Sequence, residues 1–173
     1  MMMNAYHAKD KIMSLLESST AYKPFKYPSL VNRAIEHDKI HWGEWEASLM
    51  EDVNQWKSGK MSANEKEFIQ QILRLFTQSD VVVGGSYVEV FLPNIKNNEA
   101  RMMMMSFAQR ESIHMRAYAF LNDTLGLPES EYSAFLEYSE LSEKIEFMQD
   151  FDVSTKAGLA KALAQTVCNE GMS

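Results

Sequence analysis

The sequence predicts an all-α protein built as a helical bundle. Apolar residues recur at spacings of three and four along several stretches, which is the pattern of amphipathic helices. No confident strand is predicted, and the one β-like run, Val81-Val82-Val83, lies inside a longer helical pattern. With 173 residues, 46% of them hydrophobic, the chain can bury a core as one domain.

The charge balance and the cysteine count exclude several classes of protein. The chain carries 17 basic and 24 acidic residues, a formal charge of -7, with no basic patch, so nucleic acid is not an expected partner. Its single cysteine, Cys168, excludes an internal disulfide and suits a reducing compartment. No run has the pattern of a signal peptide or a membrane span. We therefore expect a cytoplasmic protein with no membrane partner.

The N-terminal segment, residues 1–27, is predicted as a short helix followed by an extended arm, because Pro24 and Pro28 oppose helix. Residues 28–173 are predicted to form the domain itself. Its first helix is expected to run from Ser29 to the region of His41 and Trp42.

Two histidines of this first helix, His37 and His41, are four residues apart and could form a metal pair. Their neighbours are polar, so a solvated helix face is the favoured interpretation. The tryptophans of this part of the chain are expected to pack against the helices that follow; they are Trp42, Trp45 and Trp56.

A long helix is predicted to begin at a capping box formed by Ser62 and Glu65. Its apolar stripe contains one carboxylate, Asp80. The stripe consists of Ile69, Leu73, Phe76, Asp80, Val83 and Tyr87. Gly84-Gly85 weakens this helix and predicts a bend or a close contact with another helix.

A second long helix is predicted over about residues 97–124, with an asparagine as its N-cap, Glu99 in its first turn and Gly126 near its end. Glu111, His114 and Tyr118 follow one another at spacings of three and four, so their side chains share a largely apolar face. Since burying an unpaired charge is expensive, this carboxylate and imidazole must be paired or bound to something.

The C-terminal part is predicted as an acidic amphipathic helix over 129–150 and a last helix capped by Asp152 or Ser154. On that last helix a further carboxylate, Glu170, shares a face with apolar residues. The members of this face are Leu159, Leu163, Thr166 and Glu170.

The spacing of Asp80 and Glu111 predicts that they meet across a helical hairpin. Their midpoint falls at Ile95–Lys96, inside the predicted turn, so two antiparallel helices bring both acids to the same level, about 20 Å from the turn. Glu170 could complete the cluster, or it could be a solvent-exposed residue at a frayed helix end. Carboxylates with one histidine suit iron or manganese better than a structural zinc ion.

These residues also have interpretations without a metal. Asp80 could be a buried acid paired with Arg110 or Arg116. His114 could be a core histidine hydrogen-bonded to Glu111 or to a backbone carbonyl. Helical bundles that bind two irons use one acid from each of two helices and a Glu-x-x-His motif from each of the other two. This sequence supplies only one Glu-x-x-His.

These motifs resemble the small, radical-generating subunit of class I ribonucleotide reductase, in a phage-like form. The resemblance covers roughly residues 20–173 and implies a ferritin-like di-metal carboxylate bundle. It rests on Thr77-Gln78-Ser79-Asp80, Glu111-Ser112-Ile113-His114, Tyr118, Glu170-Gly171, Lys23-Pro24-Phe25-Lys26-Tyr27-Pro28, Lys39-Ile40-His41-Trp42, Met148-Gln149 and Lys161-Ala162-Leu163-Ala164.

The resemblance implies that Asp80, Glu111 and His114 are ligands of a first metal, with Glu111 able to bridge, and that Glu170 is a ligand of a second. The expected cofactor is two iron ions, with manganese as the alternative. Tyr118 matches the tyrosine that holds the stable radical. A phenol with a pKa near 10 must lose an electron and a proton together, and an oxidised metal centre could accept both. A core tyrosine bonded to a buried acid is the alternative.

Trp42 matches the tryptophan at the start of the radical path toward the large catalytic subunit, which is the implied partner. Trp45 is a competitor, the family's proline-glutamate pair after the tryptophan is not present, and a packing role for either ring stays open. The resemblance further implies a homodimer that serves the reduction of ribonucleotides to deoxyribonucleotides.

The sequence departs from the family beyond Glu170. The second Glu-x-x-His and the docking tail are absent, so the C-terminal helices of the bundle are expected to be missing. The chain is predicted to be the N-terminal part of a larger subunit. A truncated non-catalytic remnant and a ferritin-like iron-oxidising or storage protein are the alternatives, and Tyr118 favours the radical-generating subunit over the storage protein.

Overall fold

The computed structural model describes residues 14–171, and every regular element in that range is a helix. The α-helices are α1 (Pro28–Lys39), α2 (Met50–Lys57), α3 (Ala63–Gly85), α4 (Leu92–Asn94), α5 (Asn98–Leu125), α6 (Ser139–Gln149) and α7 (Lys156–Gly171). A π-helix, Ser86–Phe91, joins α3 to α4, and 3-10 helices cover Glu44–Glu46, Glu129–Tyr132 and Ala134–Glu137. The all-α prediction is confirmed. None of the described helices is both long and apolar enough to cross a membrane.

The two long helices, α3 and α5, form the centre of the fold and pack against each other, and α1 lies along α5. The Ser62 hydroxyl accepts from the Glu65 amide at 3.3 Å while the Glu65 carboxylate accepts from the Ser62 amide at 2.8 Å, so the predicted capping box begins α3. Asn97 caps α5 by accepting from the Ala100 amide, and Gly126 ends it in a left-handed conformation with φ 79°.

Two apolar clusters attach the C-terminal helices to this hairpin. One packs α7 against the turn between α3 and α5, through Phe91, Ile95, Ala100, Met104, Leu159 and Ala162. The other packs α6 and the preceding 3-10 helix against the C-terminal half of α3, through Val82, Val83, Phe135, Ile145 and Met148. The second cluster lies just beyond Asp80 and therefore fixes α6 beside that part of α3.

The N-terminal arm is not helical over residues 14–27, and the part of the predicted helix that falls on residues 1–13 lies outside the described residues. The arm is fixed to the start of α5 by hydrogen bonds. The Leu15 carbonyl accepts from the amides of Lys96 and Asn97 at 2.9 and 3.0 Å. The buried carboxylate of Glu99 accepts from the Lys26 amide at 2.6 Å.

The first helix ends at Lys39, before the predicted His41–Trp42 region. The buried guanidinium of Arg110 on α5 donates to the carbonyls of His37 and Ile40 at 3.0 and 2.8 Å. These are carbonyls at the end of α1 that the next helical turn would otherwise bond, so Arg110 takes the place of a continued helix.

The prediction of one helix over 129–150 is wrong. Two 3-10 helices precede α6, and Tyr138 between them and α6 is extended, with φ -117° and ψ 112°. Arg74 on α3 explains the break, because it donates to the Glu131 carboxylate at 2.7 Å and to the Tyr138 hydroxyl at 3.1 Å. Tertiary hydrogen bonds of this largely buried arginine therefore override the local helical pattern.

The prediction that Asp152 or Ser154 caps the last helix is also wrong. The hydroxyl of Thr155 accepts from the Gly158 amide at 2.9 Å and caps α7. Asp152 instead accepts from the amide and hydroxyl of Ser154 at 3.0 and 2.6 Å, which forms a local turn before the helix.

The adjacent glycines of α3 have different surroundings. A Cβ on Gly84 would lie 3.3 Å from the Cβ of Glu111, whereas a Cβ on Gly85 would have no heavy atom within 4 Å. The predicted close contact between helices is therefore present at Gly84. A π-helix, in which each turn holds an extra residue, begins directly after Gly85.

These glycines give a matched pair of substitutions. Gly85→Leu is expected to raise the free energy of unfolding by about 0.5–1 kcal/mol, because it adds helix propensity and Gly85 borders open space. Gly84→Leu is expected to lower it by about 1–3 kcal/mol, because the side chain would enter packed space against Glu111. Urea unfolding followed by circular dichroism measures both. Equal effects of the two substitutions would contradict the close approach of α3 to α5.

Candidate metal centre

Three ligand-type side chains converge between α3 and α5. Asp80, Glu111 and His114 each offer one ligand atom, and these atoms all lie within 4.8 Å of one another. No other group of three or more such side chains comes this close within the described residues. The prediction that Asp80 and Glu111 face each other at the same level of a hairpin is confirmed.

Glu111 and His114 are in direct contact. Nδ1 of His114 lies 3.2 Å from Oε2 of Glu111, so a protonated Nδ1 donates to the carboxylate. This hydrogen bond raises the pKa of His114 above its ordinary value of 6.5 and outweighs the opposing effect of burial, and the charges of Glu111 and Asp80 act in the same direction. Glu111 itself is buried, with 6% of its surface exposed.

The two arginines considered as partners for Asp80 are engaged elsewhere. Arg110 caps α1, as described above. Arg116 donates to Glu44 at 2.9 Å and to the Ser112 hydroxyl at 2.9 Å. The geometry therefore gives no support to an Arg110 or Arg116 ion pair as the explanation of Asp80.

The side chains fit a single divalent ion of the iron or manganese type. Such ions bind oxygen and nitrogen ligands at about 2.0–2.3 Å, so ligand atoms around one ion lie roughly 3–4.5 Å apart. Separations within 4.8 Å are close to this range before any ion draws the ligands together. The absence of a side chain at Gly84 leaves room for Glu111 at this point of the α3–α5 contact.

Binding of a metal to this cluster is expected to weaken as the pH falls. His114 must lose its Nδ1 proton to bind through that atom, and its raised pKa means that the proton is still held somewhat above pH 6.5. The affinity for Mn²⁺ should therefore increase as pH rises through the raised pKa of His114, with proton release on binding. Calorimetric titrations between about pH 5.5 and about pH 8 test this expectation. An affinity that is constant over this range would contradict the role of His114.

Tyr118 lies one turn beyond His114 on α5, and both residues line the same two cavities with Asp80. Burial, with a smaller contribution from the negative charge of Asp80, raises the pKa of the Tyr118 phenol above 10.0. Its ring centroid lies 6.1 Å from that of Phe76. The phenol is thus protonated at neutral pH and is partly surrounded by apolar groups.

Trp42 lies directly against the cluster. Its ring stacks on His114 with 5.9 Å between the centroids and an interplanar angle of 26°. Trp45 is 70% exposed, and its ring lies over Gly43, since a Cβ there would come within 2.3 Å of it. Trp42 and Trp45 were both candidates for the start of the radical path, and Trp42 is the one that stacks on a cluster residue.

Glu170, His37 and His41 are the other residues considered as metal ligands. The backbone of Glu170 belongs to α7, but its side chain lies outside the described part of the structure, so its role stays a prediction. Its neighbour Asn169 lines a cavity together with Asp80 and His114. His37 Nδ1 instead lies 2.9 Å from the Ser106 hydroxyl, and His37 and His41 belong to no three-residue cluster among the described residues.

Two cavities of different polarity border the cluster. The first, of about 400 Å³, is mostly apolar and is lined by Trp42, Ala47, Leu49, Ala117 and Leu121 in addition to the site residues. The second, of about 270 Å³, is more polar and includes Ser79, Lys144 and Asn169. Lys144 and Asn169 were not identified from the sequence, where only the adjacency of Asn169 to Glu170 hinted at a site.

Comparison with known proteins identifies the family. The family model described as "Ribonucleotide reductase, small chain" matches residues 19–173. The chain is 42% identical over 142 residues to the probable ribonucleoside-diphosphate reductase small subunit of Invertebrate iridescent virus 6, covering 82% of this chain and 39% of that protein.

Relatives of lower identity are also named as ribonucleoside-diphosphate reductase small chains or beta subunits. The chain is 25% identical over 154 residues to the ribonucleoside-diphosphate reductase subunit beta of Chlamydia pneumoniae, covering 83% of this chain and 44% of that protein. It is 30% identical over 141 residues to the ribonucleoside-diphosphate reductase small chain 1 of Saccharomyces cerevisiae, with coverages of 77% and 35%. The chain thus spans less than half the length of these relatives. The extent of the family match and the all-helical fold together show that the chain belongs to the ribonucleotide reductase small-chain family.

Proposed function

We propose that this chain contributes to a radical-generating small subunit of ribonucleoside-diphosphate reductase, an oxidoreductase that converts ribonucleotides to deoxyribonucleotides. The observation that carries the proposal is the convergence of Asp80, Glu111 and His114 within 4.8 Å, with Tyr118 one turn away on the same helix. A storage protein would need the acids and the histidine but no radical-bearing tyrosine, so Tyr118 favours the radical-generating subunit.

In the proposed centre Asp80, Glu111 and His114 hold one iron or manganese ion, and Glu170 is one ligand of a second. When bound and oxidised, the metal centre supplies an acceptor for the electron that Tyr118 loses. The Tyr118 phenol is protonated at neutral pH because burial raises its pKa. It must therefore release its proton together with the electron, and we assign the Asp80 oxygen that does not hold the metal to receive that proton, since Asp80 lines both cavities with Tyr118.

Trp42 and the apolar residues have separate proposed roles. Trp42, stacked on His114, would carry the radical between this site and the large catalytic subunit, which is the proposed partner. Phe76, Ala117 and Leu121 lie beside Tyr118 and would limit the access of solvent reductants to the radical. Assembly as a homodimer is part of the same proposal and rests on membership of the family.

Anaerobic loading with Fe²⁺ followed by exposure to oxygen tests the proposal. As part of a subunit that supplies the remaining ligands of the second metal, the chain is expected to bind iron and to show a tyrosyl radical by electron paramagnetic resonance. Binding of iron without a radical would favour a remnant that retains only part of the metal site. Oxidation of many equivalents of iron per chain, without a radical, would favour a ferritin-like storage function instead.

A further inference from the structure

One cation lines the polar cavity beside the proposed metal site. Lys144 on α6 lines the cavity of about 270 Å³ that also exposes Asp80, His114 and Tyr118. Met148, one helical turn further along α6, lines the same cavity and is buried in the cluster that attaches α6 to α3. Since residues four apart share a helix face, the packing of Met148 holds Lys144 on the side of α6 that faces the site.

Lys144 is the only basic residue of an acidic segment. Residues 129–150 contain seven acidic residues and a single basic one, Lys144. Glu140 precedes it by four residues, the spacing that favours an ion pair on a helix surface. Among the side chains of residues 14–169 Lys144 forms no ion pair, and Glu140 instead accepts from the Ser139 hydroxyl at 3.2 Å. The segment therefore places its one cation at the cavity that Asp80 also lines.

We propose that Lys144 is a positively charged placeholder for the metal: its ammonium offsets the negative charge of Asp80 in the metal-free protein and opposes the entry of a divalent cation. This inference rests on the proposed function, because it assumes that the cluster binds metal. Lys144 is a positioning residue that acts through the electrostatic potential of the cavity. Two like charges in a partly buried cavity repel more strongly than they would in water, so its removal should favour the metal-bound state.

Mn²⁺ binding by the purified chain, measured by calorimetry at low ionic strength, tests the inference. Lys144→Met keeps the length and apolar stem of the side chain and removes its charge. It is expected to tighten Mn²⁺ binding by about tenfold, and the gain should shrink at high salt. Lys144→Arg should bind as the wild type does. Lys156→Met, which removes an exposed cation at the start of α7, is the control for net charge and should leave the affinity unchanged.

A second measurement needs no metal. Lys144→Met should lower the melting temperature of the metal-free chain, and this loss should disappear in an Asp80→Asn background, since the charge that Lys144 offsets is then absent. Mn²⁺ binding that Glu111→Gln abolishes and Lys144→Met leaves unchanged would overturn this inference alone. A destabilisation that persists in the Asp80→Asn background would also overturn it. Absence of Mn²⁺ binding by the wild-type chain would contradict the proposed function and this inference together.

Discussion

Replacing His114 by alanine is expected to weaken Mn²⁺ binding by at least about 100-fold, because it removes the only nitrogen ligand of the three described cluster residues. The side chain is partly exposed, and its hydrogen bond to Glu111 contributes to stability mainly when the imidazole is protonated. Above the raised pKa of His114 the variant should therefore remain folded. Equilibrium dialysis with metal analysis measures the loss of binding.

His41→Ala is the matched control for His114→Ala. His41 is exposed and lies outside the cluster, so its removal should leave the Mn²⁺ affinity unchanged. Equal weakening by the two substitutions would point to nonspecific binding at surface histidines. Retention of wild-type affinity by His114→Ala would exclude the cluster as the binding site.

Replacing Tyr118 by phenylalanine is expected to eliminate the tyrosyl radical signal while leaving iron binding close to that of the wild type. The phenol oxygen is the only atom removed, and the phenyl ring retains the contact with Phe76, so the free energy of unfolding should change by less than about 1.5 kcal/mol. Electron paramagnetic resonance after iron loading and oxygen exposure measures the radical, and metal analysis of the same sample measures iron.

Tyr132→Phe provides the comparison for Tyr118→Phe. The Tyr132 hydroxyl donates to the Ala119 carbonyl at 3.4 Å, and burial raises its pKa as it does that of Tyr118, but Tyr132 does not line the two cavities at the cluster. Its removal should leave the radical signal intact. A signal that survives in Tyr118→Phe and disappears in Tyr132→Phe would reassign the radical.

Local patterns in the sequence were sufficient to predict the central hairpin. The capping box at Ser62, the Asn97 cap and Gly126 define the ends of α3 and α5 through interactions within a few residues. The 3.6-residue period then fixes which side chains share a face. The position of the turn between α3 and α5 also sets the distance of each residue from that turn along its helix. Asp80 and Glu111 are about equally far from the turn, which is why their approach could be predicted.

Features that depend on contacts distant in sequence could not be predicted. The early end of α1 comes from Arg110, about 70 residues further along the chain. The break within 129–150 comes from Arg74 on α3. In both cases a buried guanidinium donates hydrogen bonds to groups of another element. The sequence around those groups gives no indication of these hydrogen bonds.

The polar side of the site was missed for the same reason. Lys144 belongs to a stretch that predicts only an acidic amphipathic helix, and its place in the cavity that Asp80 lines follows from how α6 packs on α3. The stacking of Trp42 on His114 similarly depends on the path of the chain after α1. Neither contact can be predicted from the spacing of residues along the sequence.

Anomalous diffraction from crystals of the chain grown with Mn²⁺ tests the central claim most directly, since it locates the metal rather than inferring it from affinity. A peak bound by Asp80, Glu111 and His114, at about 2.0–2.3 Å from their ligand atoms, is the expected result. Crystals that contain Mn²⁺ elsewhere but show no peak between α3 and α5 would contradict the metal centre.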